Sequence, residues 1–368
     1  MHAAVFHAPN NITNEEIHYD YNDESLGTVS LRVQACAVCG YDTRVFRIGH
    51  QKVTPPIILG HEICGVLEKD VLLTKTVDYG MITQTLIKAG SRVAVSPIIP
   101  CLNCKYCYNN QYNLCVNLKE IGSSIDGGFA EYVRIPEKIL KIGGLVSVPA
   151  NLSDEEAALL EPLACSLNCF SQIGPITPEE TVAIIGDGPL GLLHAQISKR
   201  LFGAKTIVIG KIPHRMEKAK LMGADTTTAI YHDNNDQFYS DKEALKDTLN
   251  FTDGLGANVI IVATSNPYAI GFAQKIASRN SRIDMFAGTD KGISVSLDPN
   301  WLHYNQITIT GSFSSVPNML ERAAKLASNG DINLSKLITH KYSLGNIKEA
   351  ILATEEYRGL RVVIDSFR

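Results

Sequence analysis

The sequence contains no run of about 18 apolar residues, so nothing in it reads as a membrane-spanning helix. Neither sign of charge is in excess. The 34 Lys and Arg against 38 Asp and Glu leave a net −4, which excludes the basic footprint of a nucleic-acid-binding protein. No internal repeat or low-complexity tract is present, and 45% hydrophobic with 20% charged residues excludes a disordered chain. Residues 1–10, MHAAVFHAPN, lack the cationic start and apolar core of a secretory leader. These absences predict a globular, cytoplasmic protein whose partner is a small molecule, with no nucleic acid and no membrane. A length of 368 predicts two domains.

What the chain does have is cysteine, nine of them. Cys101, Cys104, Cys107 and Cys115 fall within fifteen residues as C-x2-C-x2-C-x7-C. Four thiolates at that spacing can close a tetrahedral shell around one Zn2+, with no position left open. Two disulfides would be the alternative, but an odd cysteine count without a leader argues for metal. Cys36, Cys64, Cys165 and Cys169 have no partner in the pattern and read as small packing residues.

Residues 1–150 carry short β-type runs broken by Gly and Pro, such as 29–33, 92–95 and 130–135. Ser153-x-x-Glu156 forms a capping box that predicts a helix start, with Pro162 bending the helix after it. From Thr181 the texture alternates: strands at 181–185, 206–209, 257–263, 282–286 and 307–310, and helical spacing over 192–202. Such alternation predicts a parallel sheet with right-handed crossovers. The expected architecture is α/β, with a β-rich domain (1–150 and 307–368, including the 101–115 lobe) and a doubly wound domain (151–306).

Between one strand and one helix stands Gly186-Asp187-Gly188-Pro189-Leu190-Gly191, a G-x-G-x-x-G in the context that motif requires. Its glycines permit a tight turn and close approach to a pyrophosphate, which the helix N-terminus attracts. The next strand runs into Gly210-Lys211-Ile212-Pro213-His214-Arg215. No acid stands where one would bind the adenosine ribose, while Lys211, His214 and Arg215 could meet a 2′-phosphate. NADP is therefore expected over NAD.

A second ligand set lies upstream. Cys39-Gly40-Tyr41-Asp42 and Gly60-His61-Glu62 offer a thiolate, an imidazole and a carboxylate from separate loops, and Glu161 beside Pro162 offers another carboxylate. Such a set leaves a metal one open position. With CG-x-D, GHE, the four-cysteine lobe, EPLA at 161–164 and the glycine motif in this order, the whole chain resembles the zinc-dependent medium-chain dehydrogenase/reductase family. The likeness is nearest to its sorbitol (polyol) and threonine dehydrogenase branch.

That resemblance implies a GroES-like catalytic domain beside a Rossmann domain, and a homo-oligomer (tetramer or dimer). It implies a catalytic zinc near Cys39, His61 and Glu62, with Glu161 binding directly or through water and Asp42 orienting a ligand. The implied reaction moves a hydride between NAD(P) and a secondary alcohol or its ketone, such as a polyol, sugar or sugar derivative. A threonine-type amino-acid alcohol is the alternative substrate, and a non-catalytic NADPH-binding protein the alternative class.

Two positions depart from the family pattern. Tyr41 replaces a small hydroxyl residue and Arg44 a histidine, at places that usually pass the alcohol proton outward. Tyrosine can still relay a proton, and Thr43 adds a hydroxyl, but Arg44 stays cationic and suggests an anionic substrate group. Residues 68–89 also exceed the usual connection and are expected to form a surface hairpin or a subunit contact. His50, His194 and His303 stand alone and receive no role.

Overall fold

The computed structural model describes residues 1–20, 28–76, 82–232 and 239–367. The chain separates into two compact units, Met1–Ala164 with Ser314–Arg368, and Cys165–Phe313.

The first unit opens with a small antiparallel sheet of β1 (His2–Ala8), β2 (Asn11–Glu16) and β4 (Ile57–Ile58). Its main sheet is built around β3 (Thr28–Val38), whose Val29, Leu31 and Val33 face the core. β5 (Glu62–Leu67) flanks one edge of β3. Along the other edge lie β9 (Tyr132–Pro136) and then β18 (Arg361–Ser366). The sheet continues outward through β8 (Arg92–Val95) and β10 (Leu145–Ser147) on one side and β17 (Ile338–Ser343) on the other. Register then places the functional residues. Glu62 lies opposite Ala37 and Val362 opposite Val38, so the first residues of β5 and β18 gather around the end of β3. There α1 (Gly40–Ile48) begins, with Cys39 as its N-cap.

Within the stretch 68–89, β6 (Val71–Thr76) and β7 (Ile82–Ile87) pair antiparallel, with Leu72 opposite Leu86, while residues 77–81 lie outside the described residues. Val71, Leu73 and Ile87 are buried on the core side, whereas Leu72, Ile82 and Leu86 are exposed. Period-two alternation thus splits the strand pair into two apolar faces, and only one of them is covered.

The capping box is present: Ser153 Oγ accepts from the Glu156 amide at 3.2 Å, and Glu156 Oε2 accepts from the Ser153 amide at 2.9 Å. The single bent helix expected after it is replaced by two. α2 (Asp154–Ala158) ends, and α3 (Leu160–Ile173) begins anew. Pro162 falls in the first turn of α3, where a missing N–H costs nothing, so it starts a helix rather than bending one.

The second unit is a six-stranded parallel sheet. In space its order is β13 (Thr226–Ala229), β12 (Lys205–Gly210), β11 (Thr181–Ile185), β14 (Ala257–Val262), β15 (Ala277–Met285) and β16 (Thr308–Gly311). In strand sequence this is 3-2-1-4-5-6, the doubly wound order with its switch point between β11 and β14. Every residue of β11 is buried, as expected of a strand covered on both faces. The strands expected at 181–185, 206–209, 257–263, 282–286 and 307–310 all fall in this sheet. No helix among the described residues is long and apolar enough to cross a membrane.

α4 (Pro189–Phe202) buries His194 completely, with its ring 5.6 Å from that of Phe170 and 4.5 Å from that of Phe286. Neither ring nitrogen has a hydrogen-bond partner among the described residues. Burial alone pushes its pKa down to about 3. The unfolded chain takes up a proton below about pH 6.5 that the folded chain refuses until near 3. This group's share of stability is therefore full above 6.5 and falls with pH, at up to about 1.4 kcal/mol per unit. His194→Leu is expected to flatten the loss of stability between pH 6.5 and 4.5 in urea titrations compared with the parent. Metal-ligand titration is common to both proteins, so an equal slope in the two would show that the ring is not kept neutral.

Candidate metal and coenzyme sites

The ligand atoms of Cys39, His61 and Glu62 all lie within 4.8 Å of one another. Local chemistry explains how each is held. Cys39 leads α1 as its N-cap, which places its sulfur at the positive end of a helix. Gly60 takes φ +92°, and a Cβ there would meet Cys36 Sγ and Phe129 at 2.9 Å; only glycine turns the chain so that His61 faces Cys39. Asp42 is fully buried, accepts the Cys39 amide at 2.9 Å, and holds its other oxygen 3.6 Å from His61 Nδ1. That orients the imidazole and leaves its second nitrogen for a metal.

Glu62 is 1% exposed and divided in function. Its Oε1 accepts from Arg361 Nη2 at 2.7 Å, while Oε2 is buried without a hydrogen-bond partner among the described residues. Arg361 is itself buried and donates from Nη1 to the Val38 carbonyl at 3.1 Å. Glu161 is 7% exposed and near enough to raise the pKa of Glu62, although it does not come within 4.8 Å of all three ligand atoms.

The electrostatics ask for a cation. Burial pushes the Glu62 carboxyl up to about 7, with Glu161 and Asp42 adding to the shift and Arg361 and His61 opposing it. Burial works against an imidazolium at His61, yet Asp42 and Cys39 beside it hold its pKa well above the usual range. Arg361 is paired with Glu62, and Asp42 and Glu161 bring two further carboxyl groups to the same place. The unpartnered Oε2, the tethered imidazole and the helix-capping sulfur together suit a divalent metal with an open position.

Beside this set, Tyr41 Oη lies 3.2 Å from His50 Nδ1, and the Tyr41 ring packs edge-on 5.8 Å from that of His61. Burial, then the Glu120 carboxylate, pushes the phenol up to about 12, so it remains a hydroxyl at neutral pH. His50 is less basic than usual through burial, then the charges of Arg44 and Lys52. Arg44 stands 5.9 Å from the Tyr41 ring, and its buried Nε has no hydrogen-bond partner among the described residues. The Thr43 hydroxyl donates to the Gly40 carbonyl at 2.9 Å, which turns it to its own helix. Sequence reasoning missed His50 and Arg361.

The second cluster is the cysteine lobe, whose four sulfurs also lie within 4.8 Å of one another. Cys104 and Cys107 Sγ are 3.5 Å apart and Cys101 and Cys107 Sγ 3.9 Å. A Zn–S bond of about 2.3 Å gives a tetrahedron with edges of about 3.8 Å. These separations fit one zinc and exclude S–S bonds; all nine cysteines are free thiols. Cys36, Cys64 and Cys169 are fully buried, as packing residues should be, whereas Cys165 is only partly buried.

In the second unit, the glycine loop crosses the sheet at its switch point. Gly186 has φ +130°, and a Cβ there would strike the Ala263 carbonyl, just past β14, at 2.7 Å. A Cβ at Gly191 would come 2.0 Å from the Gly186 carbonyl, whereas one at Gly188 would meet nothing within 4 Å. The first and third glycines are thus demanded by packing, and the second leaves room ahead of the N-terminus of α4, where Pro189 takes the first helical position. That opening suits a pyrophosphate. α5 (Pro213–Leu221) comes after β12, with Lys211 and His214 exposed and Arg215 buried at 4% exposure. Leu190 lies within the first turn of α4.

Residues 25–144 match the family described as alcohol dehydrogenase GroES-like domain, and residues 189–329 match zinc-binding dehydrogenase. D-arabitol-phosphate dehydrogenase of Enterococcus avium is 31% identical over 92% of this chain and 90% of its own. Sorbitol dehydrogenase of Bacillus subtilis is 29% identical over 99% and 97%. The crystal structure of a zinc-binding dehydrogenase from Sinorhizobium meliloti bound to NADP superposes with a TM-score of 0.82 at 26% identity, covering 99% of this chain and 98% of that one.

Proposed function

Because the chain belongs to the zinc-type medium-chain alcohol dehydrogenase family, we propose that it interconverts a secondary alcohol and its ketone, with a polyol, sugar or sugar derivative as substrate and a nicotinamide dinucleotide as hydride carrier. The observation that carries this reading is the Cys39, His61 and Glu62 set, in which Glu62 Oε2 is buried and unpartnered. Zinc held there would act as a Lewis acid, lowering the pKa of an alcohol oxygen and polarising the ketone in reverse.

The residues do the rest. Asp42 and Arg361 fix the orientation of His61 and Glu62. Glu161 adds a carboxylate at the edge of the ligand set, available directly or through water. The Tyr41 hydroxyl receives the alcohol's proton while giving its own to His50 Nδ1, a nitrogen shared with the Lys52 amide at 3.2 Å, and His50 returns the proton to solvent; a phenol with so high a pKa relays a proton without becoming a phenolate. His50 thereby supplies the imidazole that Arg44 does not. The permanent charge of Arg44, beside the Tyr41 ring, favours substrates carrying phosphate or carboxylate. A threonine-type substrate is supported only by likeness to L-threonine 3-dehydrogenases, such as that of Pyrococcus horikoshii at 27% identity over 89% of this chain, and no residue of the ligand set separately favours it or a non-catalytic coenzyme-binding role.

Zinc with the four-cysteine lobe would serve structure only. The exposed Lys211 and His214, and the missing side chain at Gly210, support NADP; Asp187, beside Gly210, counts against it. Cysteines free of disulfides at two metal clusters suit a cytoplasmic setting. A dimer or tetramer is the expected assembly.

The test combines metal analysis with a substrate panel of polyols, phosphorylated polyols and threonine, each run with NAD and NADP. We expect two zincs per chain, one of them lost in Cys39→Ser together with turnover, and the fastest turnover among the polyols. A single zinc that persists in Cys39→Ser, or no oxidation of any member of the panel, would remove the proposal.

A further inference from the structure

We infer that Asp187, contributed by the glycine loop, is the carboxylate that takes the adenosine ribose of the coenzyme, and that it makes the site select NAD(H) over NADP(H). This rests on reading the second unit as a dinucleotide site. In a doubly wound fold the ribose-binding acid normally ends the second strand. Here that strand, β12, ends at Gly210, but its missing side chain is replaced from elsewhere. A Cβ at residue 210 would meet Asp187 Cβ at 2.5 Å and Cγ and Oδ2 at 2.7 Å. Asp187 therefore fills the space that a side chain at 210 would take, and 210 must be glycine because Asp187 is there.

The carboxylate is held firmly. Asp187 is 7% exposed, and its Oδ2 accepts the amides of Lys211 at 2.8 Å and Ile212 at 2.6 Å, just ahead of α5. A 2′-phosphate is disfavoured twice over. It would face a fixed negative charge, and the backbone donors that could bind it are already used. Oδ1 makes no hydrogen bond among the described residues, and an ionised carboxylate oxygen accepts from ribose hydroxyls. The basic residues offer little against this. Lys211 and His214 are exposed, where an ion pair gains little, and Arg215 is buried. The NADP expectation counted the missing acid at 210 and could not count the one leaning over it.

Calorimetric titration of NADH and NADPH into the zinc-loaded chain tests the assignment without turnover. NADH is expected to bind about tenfold or more tightly than NADPH, as loss or gain of a charge-assisted contact implies. Asp187→Asn, which keeps the shape without the charge, should narrow that ratio by about tenfold, and Asp187→Ser should narrow it further. The parent comparison stands even if a variant fails to fold. NADPH binding more tightly than NADH, or an unchanged ratio in a folded Asp187→Asn, would overturn the inference while leaving the dinucleotide reading intact. Binding of neither coenzyme would overturn both.

Discussion

Arg361→Met is expected to yield a folded protein that retains zinc in its cysteine lobe, loses it from the Cys39, His61 and Glu62 set, and turns over about a hundredfold more slowly, the scale on which partners of metal ligands act. Arg361 occupies the start of β18 and donates to Glu62 Oε1 at 2.7 Å and to the Val38 carbonyl at 3.1 Å. It does two things at once: it offsets one of the buried carboxylates, and it holds Glu62 by Oε1, leaving Oε2 without a hydrogen bond among the described residues. Removing one partner of a buried ion pair costs about 3–5 kcal/mol, because the remaining charge is left without compensation. Glu62 escapes that cost by taking a proton, which its pKa of about 7 makes easy, and a protonated carboxyl is a poor ligand. Methionine fills similar volume, so the β-sheet should survive. Zinc per chain and turnover measured with and without added zinc provide the readout, and excess zinc should restore part of the activity. Arg361→Lys keeps a charge but loses the fork that reaches both Glu62 and Val38, so it should fall between parent and methionine variant. Two retained zincs and undiminished turnover in Arg361→Met would show that Glu62 needs no such partner.

This pair also marks the limit of what the chain makes legible. Glu62 and Arg361 are 299 positions apart, and only the antiparallel pairing of β18 with β3, itself paired with β5, brings them together. No local pattern announces that contact. The cysteine lobe and the glycines were legible because their chemistry fixes their spacing, a four-thiolate shell and a glycine turn at a helix N-terminus, whereas Cys39, His61 and Glu62 were legible through motifs shared with a known family and the helix that Cys39 heads was not expected. The alternating strands of the second unit were legible because a sheet buried on both faces has to be apolar throughout. Partners of those groups were not. Tyr41 and His50 are nine residues apart, yet a lone histidine after a helix carries no signal until the helix turns the phenol toward it. Pro162 looked like a bend because helix register is invisible before α2 is seen to end. Asp187 looked like a variable position within the glycine motif because the residue it covers, Gly210, lies 23 positions on in another strand. In each case the unreadable part is a side chain completing a site from a distant segment.

Cys104→Ser should have a different effect, removing the zinc of the cysteine lobe and with it the lobe's own folding while sparing the second unit. Little else holds residues 101–115 in place. Their regular structure is a helix of four residues (Lys105–Tyr108) and a single 3-10 turn (Tyr112–Leu114), both far shorter than a helix that persists unaided. The buried apolar side chains beneath them are few: Ile98, Tyr112 and Ile142 around Cys107 and Cys115. For small zinc-folded peptides, metal binding contributes about 10–16 kcal/mol at neutral pH, which exceeds what so thin a core supplies. Cys104 is the ligand to remove because its thiol is already poised. Amide hydrogen bonds from Cys107 and Val116 lower its pKa to about 6, so it offers a thiolate at neutral pH. Serine keeps the size but not the soft anionic ligand. The variant should bind one zinc per chain, cleave rapidly within 101–115 under limited proteolysis, and lose activity through the first unit, while its calorimetric titration with NADH matches the parent's. If Cys104→Ser instead kept both zincs and its resistance to protease, the four sulfurs would not be a metal site, whatever their spacing.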